Sequence, residues 1–160
     1  MLIMIDSGSD ENCAPKWLLP RATLYTSRRR LFDVQGKTMQ VQGSKKLAIK
    51  LVPLDPEEDR VNVIGNFISC TVHRLLFSLV KMMDAGVEFG MRQRQLAANI
   101  AGNWAKIIIQ GNTIHLVAEK IEDASALTSG TWSDLEEVVA GRMRALHIAP
   151  VAAEGEDPRV

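Results

Sequence analysis

The feature that most constrains the fold is an alternation of apolar and polar residues in the middle of the chain. The apolar positions of this pattern, each with polar neighbours, are Met39, Val41, Leu47, Ile49 and Leu51. A period of two is typical of β-strands that bury one face. The sequence therefore predicts a mainly β protein.

Other stretches predict hairpins and few helices. Gly36 and the pair Gly111-Asn112 have the composition of hairpin turns. Residues 74–85 carry apolar side chains at helical spacing before a glycine, which predicts one short helix. The polar, alanine-containing residues 91–101 predict a short helical insertion.

Composition narrows the classes of function. The chain has 160 residues, 46% of them apolar, and no formal net charge, so overall charge gives no indication of nucleic acid as a partner. The apolar runs are too short to cross a bilayer, which predicts no membrane partner. Cys13 and Cys70 lack CxxC spacing, which favours free thiols in a reducing compartment. The expected location is intracellular, in the cytoplasm.

A change in composition after residue 120 divides the chain into a domain, residues 1–120, and a tail, residues 121–160. Ser133 and Glu136 have the spacing of a capping box at a helix start. One apolar stripe at helical spacing follows, formed by Leu135, Val138, Val139, Met143 and Leu146. The tail is therefore predicted to hold one C-terminal amphipathic helix and a disordered end.

Asp6 is the strongest candidate for a catalytic residue. It follows the apolar residues 1–5 and opens the sequence Asp6-Ser7-Gly8-Ser9. A charge at the end of a buried strand must be hydrogen-bonded, paired or functional. The alternative is an ordinary polar turn, because Asp, Ser and Gly dominate turns for reasons unrelated to catalysis.

Two segments in this order resemble the protease region of copia-type retrotransposon polyproteins. That family has an Asp-Ser-Gly-Ala/Ser motif, a β-rich stretch, and a segment like Leu-Leu-Ser-Val-Ser-x-Leu-x-x-x-Gly-x-x-x-x-Phe. Residues 75–89 here read Leu-Leu-Phe-Ser-Leu-Val-Lys-Met-Met-Asp-Ala-Gly-Val-Glu-Phe. The likeness covers roughly residues 2–117.

The resemblance implies a retropepsin-like aspartic protease, with a small closed acid-protease barrel, one short helix and a homodimeric active form. It implies that Asp6 is the catalytic aspartate and that Ser7 bonds across the dimer axis. It further implies that Gly8 allows close backbone approach and that Ser9 donates to the carboxylate. The substrate would be a polypeptide, and no cofactor is expected.

The resemblance also assigns a candidate flap over the substrate to the hairpin turn of Gln35, Gly36 and Lys37. Two aspartates a few ångströms apart cannot both ionise, so they share one proton. One then acts as base towards water while the other polarises the scissile carbonyl. The alternative hypothesis is a catalytically inactive retropepsin-like remnant or a protein-binding dimerisation module.

A zinc site is the remaining chemical alternative. Its candidate ligands are Cys13, Cys70, His73 and His115. Only Cys70 and His73 are close in sequence, and buried thiols with core or surface histidines explain these residues more simply. No metal is therefore predicted.

Overall fold

The computed structural model describes residues 1–33 and 35–150, and within them the fold is mainly β, as predicted. The elements in chain order are β1 (Leu2–Asp6), β2 (Cys13–Pro15), β3 (Leu31–Phe32), β4 (Thr38–Met39), β5 (Val41–Leu51), β6 (Val61–Cys70), β7 (Leu76–Ser78), α1 (Leu79–Asp84), β8 (Glu88–Arg92), β9 (Gln95–Ile100), β10 (Asn103–Gln110), β11 (Thr113–Asp123), a 3-10 turn (Ala124–Ala126), β12 (Gly130–Val139) and β13 (Arg142–Ile148).

Six of these strands close into a ring, because each pairs with two others. The circuit runs from β1 through β11, β5, β6, β2 and β7 and returns to β1. Strands β10, β9 and β8 extend the sheet from β11, and the β12–β13 hairpin extends it from β6. Strands β3 and β4 form a separate two-stranded sheet.

The inside of the ring is the main hydrophobic core. Ile3 and Ile5 point into it from β1 and are 0% and 6% exposed. Phe67 from β6 meets Phe77 from β7 edge to face, with ring centroids 5.1 Å apart. The alternation along β1 leaves its other face to Leu2, Met4 and Asp6, which are all half-buried.

Two helical predictions differ from the structure. The helix predicted over residues 74–85 begins only at Leu79, because Leu76–Ser78 pairs with β1 as a strand. The helical insertion predicted at residues 91–101 is wrong, since this stretch belongs to the β8–β9 hairpin. Gln93 and Arg94 form its turn with φ of 50° and 63°. The hairpins predicted around Gly36 and Gly111 are both confirmed.

The prediction of a C-terminal amphipathic helix is also wrong, because residues 130–148 form the β12–β13 hairpin. Ala140 and Gly141 close it with φ of 52° and 75°, the left-handed conformations of a tight hairpin turn. The buried residues alternate, Trp132 and Asp134 being 2% and 3% exposed. Glu136 accepts a hydrogen bond from the backbone of β6 instead of capping a helix. The predicted disordered end includes residues 151–160, which lie outside the described residues.

The boundary predicted after residue 120 falls inside β11, and β12 pairs in parallel with β6. Strand pairing therefore joins the β12–β13 hairpin to the ring.

Replacing Trp132 by alanine should lower the free energy of unfolding of the whole chain by about 3 kcal/mol, because the hairpin and the ring share one sheet. Trp132 packs with Ala48 and Ile64 at the outer side of β5 and β6. Urea denaturation measures the loss.

Val139→Ala is the matched control for Trp132→Ala, because Val139 lies in the same strand but is 66% exposed. It should change the free energy of unfolding by less than about 0.5 kcal/mol. Equal losses of the free energy of unfolding for the two substitutions would mean that the hairpin does not unfold together with the ring.

Candidate active site at Asp6

Asp6 is the last residue of β1 and lies between two neighbouring strands. It pairs in parallel with Ser78 of β7, while the preceding Ile5 pairs with Ile114 of β11. The backbone N–H of Gly8 donates to Asp6 Oδ1 at 2.9 Å. In the described part of the chain this is the one hydrogen bond to the carboxylate, which therefore keeps free acceptor capacity at the end of β1.

Gly8 keeps the turn close to the carboxylate. A Cβ at this position would come 3.4 Å from Asp6 Oδ1, so a side chain there would cover part of that oxygen. Ser7 and Gly8 are both exposed. The turn therefore presents the Asp6 carboxylate at the surface of a single chain, where a second molecule or a substrate can reach it.

Ser9 does not make the contact that the resemblance implies. Its hydroxyl donates to the backbone carbonyl of Glu11 at 2.6 Å and does not reach the carboxylate of Asp6. Ser9 supports the turn through its own carbonyl, which accepts a hydrogen bond from Ser78 Oγ at 2.6 Å. Its role in this structure is therefore to shape the loop.

Ser78 links the loop to α1. It is fully buried, its N–H donates to Asn12 Oδ1 at 2.8 Å, and its hydroxyl accepts from the N–H of Lys81 as the N-cap of α1. An N-cap serine satisfies a backbone donor that the helix itself cannot pair. Asn12 and Ser78 thus hold the loop through hydrogen bonds, and no spacing pattern in the sequence singles out either residue.

The candidate flap is a hairpin whose turn is organised by Asp33. Asp33 Oδ1 accepts from the N–H groups of Gln35 and Lys37, both at 2.9 Å, and Gly36 has a φ of 81°. Side chains of this kind, bonded to backbone a few residues on, stabilise tight turns. Gln35, Gly36 and Lys37 are all exposed at the tip of the hairpin.

The base of this hairpin packs on the side of β1 that carries Asp6. Leu31 of β3 and Met39 of β4 lie against a small cluster that also contacts Met4. The buried members of that cluster are Cys13, Ile68, Cys70 and Leu76. Because Met4 and Asp6 are two residues apart in a strand, their side chains share one face. The structure thus brings the base of the candidate flap and the candidate catalytic residue to the same side of the ring.

The four candidate zinc ligands are not gathered into one site. Among the described residues, no group of three or more His, Cys, Asp or Glu side chains could hold a metal ion. Cys13 and Cys70 are buried, free thiols of one apolar cluster. Hydrogen bonding from Cys13 lowers the pKa of the Cys70 thiol to about 7, and the same contact raises the pKa of Cys13.

Comparisons of the chain with family models, curated proteins and solved structures find no match. Among the described residues, no helix has the length and apolar character that a membrane span requires. The geometry around Asp6 is therefore the basis for assigning a function to the chain.

Proposed function

We propose that the chain is a retropepsin-like aspartic endopeptidase derived from a copia-type retrotransposon polyprotein, with peptide bonds of its own polyprotein as substrate. The observation that carries this proposal is the position of Asp6. Its carboxylate lies in an Asp-Ser-Gly-Ser turn at the end of β1, a strand of the closed ring, on the side of β1 where the base of a flap-like hairpin packs. This combination supports access of an extended peptide to the carboxylate from that side.

The reaction requires a second carboxylate. In the proposed site, one Asp6 carboxylate takes a proton from water as the water attacks the scissile carbonyl carbon. The Asp6 of a second copy, protonated, donates a hydrogen bond to the carbonyl oxygen and stabilises the charge that develops there. The two turns must therefore meet at a two-fold axis, and the homodimer is the active form.

Exposed apolar side chains on both sides of Asp6 support such a contact. On one side, α1 follows Ser78 directly and exposes Val80 and Met83, which are 48% and 59% exposed. On the other side, Ile109 is 62% exposed at the end of the row that runs from Ile5 through Ile114. Burying apolar surface of this kind is the main driving force for association.

The test is an assay with an unfolded protein as substrate near pH 5, with and without a statine-type peptide inhibitor. Statine mimics the tetrahedral geometry of the attacked carbonyl, so it should block cleavage by paired aspartates. We expect fragments that disappear when the inhibitor is present. Cleavage that continues unchanged in the presence of the inhibitor would overturn the proposal. A dimer that cleaves no substrate would favour the protein-binding dimerisation module instead.

A further inference from the structure

Glu11 is a buried carboxylate whose two oxygens each have a cationic partner. The residue is 8% exposed. Oε1 lies 2.9 Å from an Arg29 guanidinium nitrogen, and Oε2 lies 2.7 Å from Lys81 Nζ. Loss of either cation leaves the buried carboxylate with one charged partner instead of two, although a buried charge needs its partners to offset the cost of its burial. The arrangement therefore constrains all three side chains.

These three residues belong to three different segments around Asp6. Glu11 is in the loop that follows Asp6, and its carbonyl accepts the Ser9 hydroxyl. Lys81 is in α1, whose N-cap Ser78 bonds to the same loop. Arg29 lies two residues before β3, in the arm, residues 26–30, that leads into the candidate flap hairpin.

We propose that Glu11 is a positioning residue that ties the flap-bearing arm to the Asp6 loop. The proposal rests on the proposed protease function, because it assigns Glu11 the task of holding the flap hairpin over Asp6. The arm makes few other connections: residues 28–30 are exposed, and in the described chain Arg29 is the one residue of the arm with an ion pair. Glu11 thus sets the position of the flap through Arg29 and that of the helix through Lys81.

Arg29→Ala separates the link to the arm from the link to the helix. We expect the backbone amides of residues 26–40 to exchange with solvent about fivefold faster, because the arm opens locally without its ion pair. Amides of α1 should keep their protection, since Lys81 still pairs with Glu11. Lys81→Ala should speed exchange of the α1 amides and leave residues 26–40 protected. Glu11→Gln should speed exchange in both segments. Hydrogen exchange followed by mass spectrometry resolves the two segments.

Arg30→Ala is the matched control, because Arg30 is an exposed neighbour in the same arm. It should leave exchange unchanged, and Arg29→Lys should keep most of the protection that Arg29→Ala loses.

With a peptide substrate, Arg29→Ala should raise KM about fivefold and leave kcat within twofold, since the flap holds substrate and Asp6 performs the chemistry.

Two outcomes would overturn the proposal. One is equal exchange of residues 26–40 in Arg29→Ala and Arg30→Ala. The other is a fall in kcat at constant KM. The exchange measurement needs no cleavage, so a chain that cleaves no peptide would contradict the protease function while the exchange data still decide whether Glu11 holds the arm.

Discussion

Asp6→Asn should lower the rate of peptide cleavage at pH 5 by about a thousandfold or more. Asparagine cannot accept the proton of the attacking water, and general acid–base catalysis by a positioned side chain contributes about 10²–10⁴ in rate. The fold should persist, because the amide oxygen of asparagine can still accept the Gly8 N–H that bonds Asp6 Oδ1. The measurement is kcat/KM with a fluorogenic peptide, together with the urea midpoint.

Asp10→Asn provides the control for Asp6→Asn. Asp10 is an exposed carboxylate of the same loop, four residues further on. Its substitution makes the same change in charge and should leave kcat/KM within about twofold of the parent. Undiminished cleavage by Asp6→Asn would show that the activity comes from other groups or from a contaminating protease.

The double substitution Val80→Glu and Met83→Glu should convert the proposed dimer into a monomer and lower the rate of cleavage by about a thousandfold. Both side chains are exposed on one face of α1, next to the strand that pairs with Asp6. In the proposed dimer they would place four carboxylates in the contact, and each buried charge without a partner costs several kcal/mol. Sedimentation measures the state of association, and the peptide assay measures the activity.

Met91→Glu is the matched change for this experiment, because Met91 is 67% exposed in β8, the last strand of the sheet beyond β11, β10 and β9. It should leave both the mass in solution and the activity unchanged. A fully active chain after the double substitution in α1 would show that this face takes no part in the dimer. A monomeric but fully active chain would remove the need for a second Asp6.

The mainly β fold was predictable because its signals are local. Alternation over Met39 to Leu51 marks β5, and glycine at turn positions marks the hairpins. The position of Asp6 at the end of β1 was predictable for the same reason, since an apolar run bounded by a turn is legible in sequence. The pairings that close the ring could not be predicted from local signals, because pairings such as β1 with β11 join residues more than a hundred positions apart.

The supports of the Asp6 loop could not be predicted in this way. Glu11, Asn12 and Ser78 act through partners from other segments, and spacing along the chain says nothing about such contacts. Ser9 illustrates the same limit. A serine hydroxyl can donate a hydrogen bond to the Asp6 carboxylate, but in the structure this hydroxyl donates to the backbone carbonyl of Glu11.

The C-terminal hairpin shows how two periods can compete in one stretch. Leu135, Val138 and Met143 fit a helical stripe, whereas the buried Trp132 and Asp134 follow a period of two. The turn at Ala140 and Gly141 and the pairing of β12 with β6 decide in favour of strands. Tertiary pairing of this kind overrides a local helical pattern.

The central claim is that the Asp6 turns of two copies meet. Ser7→Cys tests it most directly, because Ser7 is exposed beside Asp6 and two cysteines cross-link only when their Cα atoms approach within about 7 Å. The control is Ser125→Cys, exposed beyond the opposite end of β11. After mild oxidation, mass measured without reductant should show a covalent dimer for Ser7→Cys and a monomer for Ser125→Cys. A monomer for Ser7→Cys, or equal cross-linking of both variants, would contradict the account.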